Sequence, residues 1–228
     1  MNGKQVVLQL TNVTKTYRGK TRFVTALDDV NLQVHHGDSV VIQGPSGSGK
    51  STLLLIAAAM LKPTSGEVTL CGSPVHSLSM RSASQLRLAS IGIILPTLEL
   101  VPYLSAFENV YLANASTEGR ARAKTLLESL AMEDRLNHLP GQLSTGEQRR
   151  ILVARALINQ PKILLCDEPT ANLDAGNAEL IRDTLNASRD RGTAVVTVTH
   201  EDAERFQADT TYEMRLGKLE RSVAARLP

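Results

Sequence analysis

Few folds can hold the segment Gly44-Pro45-Ser46-Gly47-Ser48-Gly49-Lys50-Ser51-Thr52. It fits the spacing G-x-x-x-x-G-K-[ST]. The strand-like run Val40 to Gln43 precedes it, and a helix-forming run from Lys50 to Leu61 continues from it, which is the context this spacing needs. The glycines leave room for backbone N–H groups to curl round an anion. The helix start adds unpaired N–H donors and a partial positive charge. Lys50 is spaced to reach the β- and γ-phosphates of a nucleoside triphosphate, and the Ser51 hydroxyl can ligate Mg²⁺. The plain alternative is a glycine-rich turn that matches by chance, and the strand and helix on the correct sides count against it. Taken alone, the segment implies only a triphosphate site.

The rest of the chain is read for the sheet that such a loop requires. Continuous apolar runs at Val40 to Ile42, Ile91 to Leu95, Ile163 to Cys166 and Val195 to Val198 predict strands buried on both faces, as in a parallel sheet covered by helices. Val6 to Leu10, Asp29 to Val34 and Glu67 to Leu70 are half polar and predict antiparallel strands with one wet face. Glu118 to Leu130 and Ser144 to Asn159 predict helices, the second with Ile151, Ala154 and Ile158 on one stripe. The expected fold class is α/β: a P-loop core with a mostly parallel sheet, a small antiparallel β layer and an inserted α-helical subdomain at roughly 81–160. All of it is expected in a single domain over 1–228. After Thr199, the stretch Glu201 to Pro228 is too short for a separate regulatory domain.

Composition narrows the partners. The 228 residues are 42 % hydrophobic and 21 % charged, an ordinary globular balance and enough chain to bury a core. A net charge of +2 and only 3 % aromatic residues, with no Trp, argue against a nucleic-acid partner. Cys71 and Cys166 lie far apart and form no C-x-x-C, so both are expected as buried free thiols in a reducing compartment. The longest apolar run, Leu53 to Leu61, is nine residues, against the roughly 20 needed to span a bilayer. Met1 to Leu10 lacks a signal-peptide pattern. Work at a membrane would therefore need other subunits to do the spanning.

A buried strand at Ile163 to Cys166 runs into two acids, Asp167 and Glu168. Asp167 suits the outer contact to Mg²⁺, and Glu168 suits orienting and deprotonating a water beside the γ-phosphate. The bland alternative is a solvated pair at a strand end. Further along lies Leu143-Ser144-Thr145-Gly146-Glu147-Gln148, where Ser144 and Glu147 have the spacing of a capping box. A capped helix by itself needs no other role.

With these residues in place, the chain resembles the ABC ATPase family over nearly its whole length. Leu143 to Gln148 matches the family signature, usually LSGGQ or LSGGE. The resemblance implies that the signature of one subunit meets the γ-phosphate held by another, which would add Ser144, Thr145, Gly146 and Glu147 to the nucleotide site. Tyr17, in TKTYRGK, takes the place of the aromatic that stacks on adenine. Ala171-Asn172-Leu173-Asp174 corresponds to the D-loop of the dimer interface. His200 corresponds to the histidine that contacts the γ-phosphate, although a lone histidine at a strand end is more often structural. His35, His36, His76 and His138 match no motif. The resemblance thus implies ATP and Mg²⁺ as ligands, with Glu168, His200 and Lys50 as the catalytic set. Ile91 to Val110 and Asp167 to Asp174 are most similar to the lipoprotein-release, macrolide-export and cell-division group. There the ATPase is a separate polypeptide, expected as a homodimer in preference to a heterodimer. It sits in the cytoplasm, peripheral to the inner membrane, beneath permease-type integral membrane subunits.

Two positions depart from the family pattern. Pro96 stands where the family has the Q-loop glutamine, and Gln85 lies 11 residues upstream, too early to replace it. Proline offers no side-chain oxygen and no N–H. Thr145 replaces the first signature glycine. Two expectations follow: slower hydrolysis with Glu168, Lys50 and His200 intact, which is preferred, or one unequal half of a heterodimer. Glu99, three residues past Pro96, is a minor candidate for approach to the metal. Among rival classes, chromosome-maintenance and DNA-repair ATPases insert long coiled coils that Ser51 to Leu143 cannot hold. Translation-factor members carry two such domains in one chain. A scaffold that uses ATP only to dimerise is disfavoured by the intact Glu168.

Overall fold

The computed structural model describes residues 5–19, 23–96 and 99–222. In chain order the strands are β1 (Val6–Arg18), β2 (Phe23–His35), β3 (Ser39–Gln43), β4 (Ser65–Leu70), β5 (Ser73–Pro74), β6 (Ile91–Ile94), β7 (Ile163–Asp167), β8 (Ala194–Val198), β9 (Thr210–Arg215) and β10 (Lys218–Ser222). The α-helices are α1 (Lys50–Ala57), α2 (Met80–Ser90), α3 (Ala106–Tyr111), α4 (Thr117–Ser129), α5 (Thr145–Leu157) and α6 (Ala175–Asp190).

The four continuous apolar runs lie in one six-stranded sheet of order β10-β9-β3-β8-β7-β6. Its pairings are parallel except for the β9–β10 hairpin. Side chains alternate across such a sheet, so Val40 and Ile42 enter one core while Val41 enters the other. Both faces are apolar because both are covered. Every residue of β7 and β8 is buried. β6 is the edge strand, and its Ile91 and Ile93 are only half-buried.

The half-polar strands form a second, antiparallel sheet of order β2-β1-β4-β5. The hairpin β1–β2 is longer than its apolar segments foretold, 13 residues on each side. Register shifts between Leu10 and Lys15 carry it onward. Asn12 and Asp29 take left-handed backbone at these bulges, and the Asn12 amide donates to the Asp29 carboxylate at 2.8 Å. α1 packs between the two sheets, burying Leu53, Leu54 and Ile56 against Leu8, Leu27 and Ile42. Each such side chain contributes about 1.5–3 kcal/mol. On the other face of the large sheet, α3 to α6 enclose Leu127, Leu130, Met132, Ile151 and Ile181.

Two local expectations change, and one hairpin had no expectation. α1 stops at Ala57 rather than at Leu61. Ala59 turns left-handed (φ 54°) while the N–H groups of Ala59 and Met60 close onto the Ile56 and Leu55 carbonyls. β9 and β10 have no apolar run, and Met214 is their one buried residue. β9 joins the sheet because Thr210 to Glu213 pair with Val40 to Gln43. Asp209 also accepts from the Ser39 N–H at 2.8 Å. Cys71 is half-buried rather than buried, whereas Cys166 is enclosed in β7; both are free. Burial, then the charge of Asp167, pushes the Cys166 thiol up to about 12.

Candidate nucleotide site

β3, β8 and β7 are parallel and in register, with Ile42 beside Val198 and Val198 beside Asp167. Their carboxyl ends therefore stop at one level, the edge of an open α/β sheet where ligands bind. The loop after β3 passes close under two neighbouring strands. A Cβ on Gly44 (φ 153°) would lie 2.1 Å from the Met214 carbonyl oxygen of β9, and one on Gly49 (φ 113°) 2.2 Å from the Ala26 oxygen of β2. Only glycine fits there. α1 then begins at Gly49 with no side-chain cap. The five α-helices that follow among the described residues all begin with a capping oxygen, from Ser79, Ser105, Ser116, Ser144 and Asp174. The first-turn donors of α1 are left for a ligand.

Lys50 is only 7 % exposed. Its ammonium donates to the Gly44 and Pro45 carbonyls at 2.7 and 2.9 Å. Burial lowers its pKa, and the charges of Glu168 and Asp167 act against that shift. The Ser51 hydroxyl donates to Asp167 Oδ2 at 2.7 Å, and Asp167 is itself buried. Ser48 turns inward, its hydroxyl buried and without a partner.

Glu168 takes left-handed backbone (φ 48°), uncommon for a non-glycine residue, so the chain leaves β7 sharply. Its N–H is tied to the Val198 oxygen at 2.9 Å. The Thr199 hydroxyl donates to Oε2 at 3.2 Å. Oε1 is buried, 3.4 Å from His200 Nε2, and has no hydrogen-bond partner among the described residues. Buried acceptors are normally satisfied. A water in the pocket would satisfy this one.

The structure gathers Ser46, Gly47, Gly49, Lys50, Ser51 and Thr52 with Asp167, Glu168 and His200 around one pocket of about 350 Å³. Gly44 and Pro45 reach it through the carbonyls that hold Lys50. Pro96 and Ala26 complete the lining. Tyr17 is not part of it. The ring stands 41 % exposed on β1, opposite Val24, with the Lys15 ammonium 5.3 Å from its centroid. Nor do Ser144, Thr145, Gly146 and Glu147 line this pocket of their own chain. They form the start of α5, where the capping box is complete: Glu147 N–H to Ser144 Oγ at 3.2 Å, and Ser144 N–H to Glu147 Oε2 at 2.8 Å. The Ser144 N–H, with help from Arg135 at 2.9 Å, holds the Glu147 carboxyl below its usual range. Gly146 is buried under Asn177, and a Cβ there would come within 2.7 Å of Asn177 Nδ2. Glu99 lines a different pocket and not the one with Asp167.

Two residues without a motif support the site. Thr199 holds Glu168, and Glu201 holds the segment that carries His200. Glu201 accepts from the Thr170 hydroxyl and, at 3.2 Å, from Arg182, while its backbone oxygen takes the Gln43 amide at 2.8 Å. The only signal in the sequence is an acid directly after His200. Its partners Thr170 and Arg182 are 31 and 19 residues away.

An uncapped helix end beside a buried lysine, facing an acid pair, is the arrangement of a phosphate-loop nucleoside triphosphatase. The chain belongs to the ABC transporter family, whose family model, described as "ABC transporter", matches residues 27–171, and it is an ATP-binding, ATP-hydrolysing member. It is 40 % identical over 224 residues to the lipoprotein-releasing system ATP-binding protein LolD of Shewanella oneidensis, covering 95 % of this chain and 97 % of that protein. It is 39 % identical over 218 residues to the macrolide export ATP-binding/permease protein MacB of Salmonella typhi, covering 93 % of this chain but 34 % of that longer protein. Among solved structures it is similar to the dimeric ATP-binding cassette MJ0796 bound to ADP and Pi. The TM-score is 0.88 at 37 % identity, over 97 % of this chain and 100 % of that one. No helix among the described residues is long and apolar enough to cross a membrane.

Proposed function

We propose that this chain powers a membrane-embedded machine of the lipoprotein-release or macrolide-export kind, as a homodimer on the cytoplasmic face of the inner membrane. The observation that carries the catalytic part is the buried Oε1 of Glu168, without a hydrogen-bond partner among the described residues, in the same pocket as Lys50 and beside His200. The likeness to LolD and to a dimeric cassette supports the assembly.

ATP enters with its phosphates at the bare start of α1. Lys50 exchanges its two loop carbonyls for phosphate oxygens. The residues fit Mg²⁺: Ser51 and Asp167 supply hard oxygen donors 2.7 Å apart at the loop. When bound, the ion would neutralise charge on the phosphates. Glu168 Oε1 accepts a proton from a water whose oxygen attacks the γ-phosphorus, and the bond to ADP breaks. His200, on the half-exposed side of the pocket, contacts the γ-phosphate. Tyr17 stacks on adenine from the end of β1, two residues across the hairpin from pocket-lining Ala26. Ser144, Thr145, Gly146 and Glu147 of the second subunit close over the γ-phosphate, so its removal lets the pair part. The loop 96–103 transmits this to the membrane subunits; residues 97 and 98 of that loop lie outside the described residues.

Pro96 lines the pocket without a side-chain oxygen. That supports slow hydrolysis, and it is the specific observation behind a second reading, an ATP-dependent dimerising scaffold or regulatory ATPase with weak turnover. Steady-state phosphate release decides between them. Turnover that rises in Pro96→Gln supports a motor slowed at this position. No release above background from wild type, with dimerisation by ATP intact, supports the scaffold. Copurification of an integral membrane subunit tests the partner.

A further inference from the structure

The nucleotide pocket takes Asp167 from the carboxyl end of β7. A cavity of about 790 Å³ lies at the amino ends of β7 and β8, where Lys162 and Thr193 precede Ile163 and Ala194. The five residues of β7, about 16 Å of strand, separate the two. Acids nearly balance bases in the whole chain, 23 to 25, yet no Asp or Glu lines this cavity. Arg122 of α4, Lys162, Arg191 at the end of α6 and His36 of the turn after β2 all line it. They lie far apart in sequence, so the fold itself gathers like charges, at a cost in repulsion that an anion would offset.

The acids beside these residues in the chain have other partners. Glu118 pairs with Arg122, Glu128 with Lys124 at 3.7 Å, Asp190 with Arg189 at 3.0 Å and Asp38 with His35 at 3.0 Å. Cations near a helix C-terminus often do no more than bind its last carbonyls, and α5 and α6 both end at this cavity. Here carbonyls are already served. Arg122 donates to the Ile158 oxygen at 3.0 Å, the Thr193 hydroxyl to Pro161 at 3.1 Å and His36 Nδ1 to Gly192 at 3.2 Å. The Lys162 ammonium has no partner among the described residues, and Arg191 has only the Ser188 hydroxyl at 3.2 Å.

We propose that this cavity is a second anion site, which binds a phosphate-bearing molecule through Lys162 and Arg191, with His36 Nε2 as a third donor. Two fixed charges and a further donor, from three separate elements, suit a dianion with three acceptor oxygens; a carboxylate has only two. The volume admits a ligand of nucleotide size, and Leu126 and Leu157 give it an apolar wall. Its walls come from α4 and α5 on one side and from the sheet core on the other, so an occupant ties the two together. The inference is independent of subunit pairing and of the membrane partner.

The test is calorimetric titration of pyrophosphate into the full chain, with ADP saturating the nucleotide pocket. Pyrophosphate should bind, and more weakly as salt rises. Lys162→Ala and Arg191→Ala should each weaken it by about 3- to 30-fold, the double variant should abolish it, and Lys162→Arg should stay within about twofold of wild type. Both side chains are exposed, so the variants should melt like wild type. Their affinity for ADP should be unchanged, since neither residue lines the nucleotide pocket. Flotation with phosphatidylglycerol or phosphatidylcholine vesicles separates the sources. Binding to the first alone, lost in the double variant, places the phosphate on a lipid headgroup; pyrophosphate binding without flotation places it on a soluble ligand. The site is overturned if pyrophosphate binds only when ADP is left out, if the double variant binds either probe as wild type does, or if neither probe binds. Binding of polyglutamate with no response to either phosphate probe also overturns it and assigns the cavity to an acidic peptide.

Discussion

Two helix starts in this molecule carry residues assigned to phosphate, and they are built in opposite ways. α1 opens on a left-handed glycine, and no side chain among the described residues caps its first donors. α5 opens on a reciprocal capping box, braced further by Arg135. The first end is incomplete without a ligand, and the second is complete without one. On the proposed function, the comparison separates binding from closing: α1 would create affinity for the anion, and α5 would bring a rigid end to it. Ser144 accepts the Glu147 N–H through its oxygen and keeps its own hydroxyl proton. It can donate to a phosphate without giving up the cap.

The contrast can be broken at several strengths. The largest effect is expected from Glu168→Gln, which removes the proton acceptor between the two ends. Turnover should fall by about 10²- to 10⁴-fold while ATP binding persists and the closed dimer accumulates on size exclusion. A variant that stays monomeric in saturating ATP and Mg²⁺ would break the shared-site picture. Lys50→Ala attacks the incomplete end. A lost charge-assisted contact corresponds to roughly 10- to 150-fold in ATP affinity, read by calorimetric titration; unchanged affinity would contradict the role given to α1. Ser144→Ala attacks the complete end. It should cost about 1 kcal/mol of stability through the lost cap, seen as a lower melting temperature, with monomer affinity for ATP unchanged and dimerisation weakened.

The smallest effect concerns acid. The Glu147 carboxyl is held below its ordinary 4.5 by the Ser144 N–H and Arg135. A depressed folded value stabilises the protein above the ordinary pKa, and this is lost as pH falls through the lowered one. Glu147→Gln keeps the capping geometry without the charge. The melting difference between wild type and this variant should therefore be small at neutral pH and shrink below about pH 4.5. A difference that grows in acid would remove the charge from the account of this helix end.

The legible parts of the fold share one property. Val40 to Ile42, Ile163 to Cys166 and Val195 to Val198 read as strands because a sheet covered on both faces leaves contiguous apolar letters. The helix from Ser144 reads from its cap and its stripe, with Ile151, Ala154 and Ile158 fully buried. β9 and β10 were illegible, since an edge hairpin that buries only Met214 carries no pattern of its own. In the site, the loop residues were legible together with Asp167, Glu168 and His200. Thr199 and Glu201 were not, because their roles depend on Glu168, Thr170 and Arg182.

Motif, cap and apolar run are written within a few residues, because turns, helix starts and strand faces obey rules of short range. From these alone came a phosphate loop, an acid-ended strand and a capped helix; the resemblance to the family added the signature and the proline where a glutamine was expected. Register came from elsewhere. That Asp167 and His200 stand around one pocket with Lys50, and that Pro96 walls two pockets, follow from how distant segments pair and pack. Sheet pairing joins positions more than a hundred residues apart, and no local pattern encodes which atoms then meet.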